Sequence, residues 1–172
     1  MVARSERRVR QPTAHRGPDL TDARRTVIQG DRRKAYRPIS ADLRHTALQE
    51  GLAAYERGDF FQAHELLEPA WMGTDDLAER ALYQGLIKIA AGYVHAVRGN
   101  PIGLARNLRG AREHLATSLR LNPEVAVGAE IDLPALLARL DARLADITAL
   151  ATQPAVAGVP LIDLVPKAPQ IR

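Results

Sequence analysis

Asp59-Phe60-Phe61-Gln62-Ala63-His64-Glu65-Leu66-Leu67-Glu68-Pro69-Ala70-Trp71 is the stretch on which the fold turns. As a helix it sets Phe60, His64, Leu67, Glu68 and Trp71 on one face, since neighbours at helical spacing stack over one another. A histidine and a carboxylate therefore share the aromatic face. An unpaired buried polar group costs about 1–3 kcal/mol in protein mutational data. The pair is thus either matched for structure or used for chemistry. Pro69 lacks an N–H and is expected to loosen the helix before Trp71.

Outward from this stretch, the helical period continues. Ser40 is a helix N-cap, and Leu43, Ala47, Leu48, Leu52 and Tyr55 follow at helical spacing until Gly58. Asp59 caps the second helix, with Gln62 in a variant of the capping box, and Gly73 closes it. Thr74 is the expected cap of a third helix, with Asp75 and Asp76 where the helix dipole favours acids, running to about Arg98 before Gly99. Asn100-Pro101 opens a fourth, with Leu104, Leu108, Ala111, Leu115 and Leu119 on one side, ending near Asn122-Pro123. Asp132 caps a fifth, with Leu133, Leu136, Leu137, Leu140, Leu144 and Ile147 on one face. No strand pattern competes. The expected fold is all-α: a five-helix antiparallel bundle over residues 40–150, with a basic arm over 1–39 and an extended Pro-rich tail over 151–172.

Three blocks in order carry a family likeness. Phe60-Phe61-x-Ala63-His64-Glu65-x-Leu67-Glu68-x-x-Trp71 comes first. The run from Tyr83-Gln84-Gly85 through Lys88 to Gly92-Tyr93-Val94-His95 comes second, and Gly99-Asn100-Pro101-x-Gly103-Leu104-Ala105 third. Together they resemble domain-of-unknown-function family 309, small all-helical prokaryotic proteins, over about residues 42–120. The resemblance implies a compact helical domain and no assigned activity. A weak internal repeat also shows. Gly51, Gly58, Ala63, Leu67 and Ala70 recur as Gly92, Gly99, Leu104, Leu108 and Ala111, 41 residues on. The spacing of small and apolar positions is tetratricopeptide-like, but the period is longer than the roughly 34 residues of that repeat. Two helical hairpins of similar design are expected rather than a true array.

Composition excludes several classes. Hydrophobic residues at 46% suffice for a core, and aromatics at 4% make it mainly aliphatic. With no cysteine there is no disulfide, thiol nucleophile or thiolate metal site. No run is apolar enough for a membrane span, and a cytoplasmic protein without membrane contact is expected. The net charge of +4 is uneven: residues 1–40 hold eleven Lys and Arg against four Asp and Glu, and the remainder is at −3. A flexible arm of that kind is either a solvated tail or an electrostatic dock for nucleic acid or another anionic partner. The apolar run Val159 to Val165 in the tail is expected to pack back on the domain or on another subunit.

Chemistry is sought on the third helix, which is apolar almost all round and so central. Gln84, Lys88 and His95 form its polar stripe, beside a seam of small residues, Ala81, Gly85, Gly92 and Ala96. Antiparallel packing of the second helix would bring His64 and Glu68 to this stripe. Three readings compete. One is a structural network in which Lys88 pairs with Glu68, the histidines bond Gln84 or backbone, and Trp71, Tyr83 and Gln84 complete the cluster. Another is a divalent-metal site of His64, Glu68 and His95 with Glu65 as outer ligand or base, the core of a metal-dependent hydrolase. The third is metal-free acid–base chemistry or anion binding, with a His64–Glu68 dyad and Lys88 as electrophile. His114 and His45 are peripheral, and His15 belongs to the arm. Arg106, Arg109 and Arg120 form a basic stripe, either a solvated face or a dock for an anion. These residues support a helical binding or scaffold module with a protein partner or a second copy, no cofactor being required. The hydrolase and the nucleic-acid-associated arm are the alternatives.

Overall fold

The structure, a computed structural model, describes residues 26–29, 32–35, 37–126, 131–152 and 168–172. Five helices dominate: α1 (Ala41–Glu56), α2 (Phe60–Gly73), α3 (Leu77–Val97), α4 (Pro101–Leu121) and α5 (Leu133–Thr152). Each packs on its neighbour in sequence, most extensively α3 on α4. The connections between the first four are only three residues long, which makes successive helices antiparallel. The fold is an all-α helical bundle.

The helix boundaries follow the capping chemistry. Ser40, Asp59, Asn100 and Asp132 each accept a backbone N–H three residues on. The third helix departs from expectation. Its N-cap is Asp76, which accepts from Glu79 N at 2.7 Å. Thr74 instead accepts from Asp76 N and donates to the Glu79 carboxylate at 2.6 Å. Both residue types cap helices, and position two residues apart decides which does. Nor does Pro69 interrupt α2, which is helical on to Gly73 with Pro69 on its exposed side.

The core is the inner surface of the helices, α5 included through Leu133, Leu136, Leu140 and Ile147. Trp71, Leu67, Leu82, Leu86, Ile89, Leu104, Leu108 and Leu115 are all within 2% of complete burial. Phe60 of α2 lies between Tyr55 of α1 and Tyr93 of α3, with ring centroids 5.3 and 5.2 Å away. Burial raises the Tyr93 phenol to about 12, against the opposing pull of the Arg143 guanidinium, and raises Tyr55 further still. Ser118, fully buried, donates to Ala78 O across the α3–α4 contact.

The internal repeat is structural. A Cβ placed on Gly51 would meet Leu67, and one on Gly92 would meet Leu108, the counterpart pair 41 residues later. Gly58 and Gly99 take the same left-handed conformation, φ 82° and 68°, that ends each first helix. The α1–α2 and α3–α4 hairpins thus share one crossing and one turn.

The ends of the chain differ from expectation in part. Thr26–Gln29 (β1) and Arg32–Ala35 (β2) pair antiparallel, Gln29 opposite Arg32, where the sequence showed no strand pattern. Four-residue strands are too short for alternation to stand out among arginines. The signal was Thr-Val-Ile followed by Gly-Asp, a dipeptide typical of tight hairpins. The rest of the arm before residue 37 lies outside the described residues. Arg37 N and Ile39 N then donate to Met72 O and Gly73 O at the end of α2. Gly73 is required there, since a Cβ would stand 2.5 Å from Ile39 Cγ1. The run Val159 to Val165 also lies outside the described residues. The segment 168–172 packs back on the helices: Pro169 and Ile171 are buried, Tyr55 donates to Pro169 O, and Arg172 pairs with Glu56 and Gln49.

Candidate functional site

The polar stripe of α3 faces α4, not α2. The Lys88 chain runs along Gly110, whose Cβ position is 3.1 Å from Lys88 Nζ. The His95 ring lies against Gly103, where a Cβ would be 2.6 Å from Cγ and Nδ1. The two glycines, two turns apart on α4, are what admit the two long polar side chains. Antiparallel register carries the contact on through Gly85 against Leu115 and Ala78 against Ser118.

His64 and Glu68 are consequently elsewhere. His64 is half-buried on α2, and its Nδ1 lies 3.1 Å from the carboxylate of its neighbour Glu65. The buried face of α2 is Ala63, Leu67, Ala70 and Trp71, with His64 and Glu68 on its flank. The expected Lys88–Glu68 pairing and the approach of His64 to His95 are both overturned, because α2 covers a different face of α3 from the one carrying Lys88 and His95. Among the described residues no three His, Asp or Glu side chains converge to hold a metal ion, so His64, Glu68 and His95 do not form the ligand set envisaged. Of the other expected cluster members, Trp71 and Tyr83 are buried in the core and Gln84 is half-buried. Tyr83 joins a different polar group, beside Glu79 and the Arg44 guanidinium that pairs with it at 3.0 Å. Burial chiefly, then Glu79, raises its phenol to about 12.

Lys88 and His95 line a groove of about 430 Å³ with Asn100, Ile102, Gly103, Arg106 and Asn107 from the start of α4. Among the described residues no acidic side chain lines it. Neither Lys88 nor Arg106 forms an ion pair among the described residues. Asn100 Oδ1 accepts from Gly103 N at 2.8 Å, and its Nδ2 stands 3.2 Å from His95 Nδ1. Asn107 Nδ2 donates to Gly103 O at 2.9 Å, which leaves its Oδ1 as the groove's side-chain acceptor. Behind the groove, His114 is held below the ordinary imidazole value by burial first and by the Lys88 charge second. The arrangement offers two cations and amide donors in a concave, water-accessible setting. The sequence signal for it is the pair Gly103 and Gly110, seven residues apart like Lys88 and His95, a match that periodicity within one helix does not reveal.

Residues 48–107 match the family model described as Domain of unknown function (DUF309). The match spans α1 after its first turns, α2, α3 and the start of α4, and so includes the whole lining of the groove. No curated protein and no solved structure matches the chain. No described helix is long and apolar enough to cross a membrane.

Proposed function

We propose that this chain is a helical binding module of two tetratricopeptide-like hairpins, and that the α3–α4 groove takes the oxyanion of a small ligand. The observation that carries the reading is the described lining: Lys88 and Arg106 with His95, and, among the described residues, no ion pair to either cation and no carboxylate. Cations brought together in a concavity repel one another until an anion enters. The volume lies within the roughly 300–1,000 Å³ of small-ligand sites.

The first hairpin serves as an internal control. Forty-one residues before Lys88, His95, Arg106 and Asn107 stand Ala47, Ala54, Glu65 and Leu66. The same crossing and the same glycine turn therefore form without a cationic groove. Where the second hairpin has His95 over Gly103, the first has Ala54 and Gln62, so the large and small members are exchanged. Packing alone does not account for the polar set, which supports the ligand-binding reading.

Isothermal titration of the untagged protein with inorganic phosphate tests the reading. Saturable binding that weakens with added chloride and falls at least tenfold in Lys88→Met and Arg106→Ala is expected. Equal affinity in wild type and both folded variants would refute it.

A further inference from the structure

We infer that His95 presents its Nε2–H to the groove, and that Asn100, by fixing this tautomer, sets the groove to meet an unprotonated oxygen of the bound anion. The inference rests on the oxyanion reading above and names the device that would give that site its selectivity. It starts from the amide of Asn100. Its oxygen is committed to the Gly103 N–H at 2.8 Å, the N-cap contact of α4. The group 3.2 Å from His95 Nδ1 is then the amide nitrogen, which carries only hydrogens. Nδ1 must accept. The imidazole proton is therefore on Nε2. Turning the amide over would set its N–H₂ against the Gly103 N–H, two donors face to face, and uncap the helix.

The ring is also fixed in place. Its Cγ–Nδ1 edge abuts Gly103, where even one methyl group would stand 2.6 Å away. That edge is spent on Gly103 and Asn100, and Nε2 is the nitrogen left for a ligand. Alongside the Lys88 ammonium and the Arg106 guanidinium, the groove then offers three side-chain donors. An anion with three unprotonated oxygens, such as hydrogen phosphate or a phosphate monoester dianion, accepts from all three. A ligand bearing its own donor toward His95 would set two donors face to face and forgo that hydrogen bond. Asn100 is thus a positioning residue with two tasks, capping α4 and setting the face His95 shows.

Nitrogen-15 NMR of the imidazoles in the full chain, near neutral pH, with and without inorganic phosphate, tests this. His95 is expected to show a protonated Nε2 and an unprotonated Nδ1 before phosphate is added. Asn100→Asp keeps the cap, since aspartate is as good an N-cap. Its second oxygen would accept from Nδ1–H and move the proton to that nitrogen. The variant is expected to stay folded by circular dichroism, invert the His95 pattern and lose at least tenfold in phosphate affinity. Asn100→Ser, which keeps a capping oxygen without adding charge, is expected to show a mixture of tautomers. A proton on Nδ1 in the wild type, or an unchanged pattern in Asn100→Asp, overturns the inference. Wild-type protein with the Nε2–H tautomer that binds no phosphate overturns the oxyanion reading of the groove instead.

Discussion

Gly85→Ala and Gly92→Ala place the same methyl group on the same face of α3, two turns apart, and the structure separates them sharply. At Gly85 the new Cβ would stand 2.6 Å from both Cγ and Cδ2 of Leu115, a side chain with no solvent exposure, and 3.3 Å from Ala111 O. At Gly92 the nearest atoms are Leu108 Cδ2 at 3.3 Å and Asn107 Cβ and Leu104 Cδ1 at 3.4 Å. Replacing a helix-interior glycine by alanine gains about 0.8–1 kcal/mol from backbone propensity. Forcing a methyl into a filled core costs about 1–3 kcal/mol. At Gly85 the clash outweighs the gain, because Leu115 has no free space to enter. The net loss is roughly 1 kcal/mol, or about 2–4 °C in Tm for a chain of this size. At Gly92 a shift of a few tenths of an ångström suffices, and the variant should match or slightly exceed wild type. Urea unfolding followed by circular dichroism measures both. Gly85→Ala as stable as Gly92→Ala would show that α3 and α4 are not seated in the register described.

Two further outcomes follow from buried polar groups. His114 is depressed in the folded chain, so the unfolded chain binds more protons below about pH 6.5; stability is full above that value and is lost as pH falls toward the folded value, and His114→Gln should flatten this acid limb in urea titrations across pH 5–8. Ser118→Ala removes the donor to Ala78 O inside the α3–α4 contact and should cost about 1 kcal/mol in the same assay, whereas a change within error would mean that this hydrogen bond contributes nothing net.

The helices were legible because their signals are local. Ser40, Asp59, Asn100 and Asp132 cap where their side-chain chemistry says they should, and the all-round apolar α3 is packed between α2 and α4. The candidate site was legible only in half. Periodicity shows that Lys88 and His95 share a stripe, and the structure keeps them together. It does not say which neighbour covers that stripe. Chain proximity suggested α2, whereas the deciding fact is steric: α4 has glycines at 103 and 110 where long side chains of α3 must pass. His64 and Glu68 attracted attention through residue type, yet a half-buried histidine beside a sequence-adjacent glutamate needs no partner from α3. The β1–β2 hairpin escaped because four residues give a two-residue period almost nothing to repeat.

Ala168–Arg172 changes the topology of cooperation. A row of helices in which each packs chiefly on the next behaves largely as a chain of links, free to fray from whichever end is weaker. Tyr55 donating to Pro169, with Arg172 on Glu56 and Gln49, joins residues more than a hundred positions apart and returns the chain to its first helix. The line of links becomes a loop. Closing a long loop is entropically slow, so this contact belongs at the end of folding, after the local hairpins have formed. Once made, it couples the two ends, and hydrogen-exchange protection in α1 should rise and fall with the docking of the final five residues.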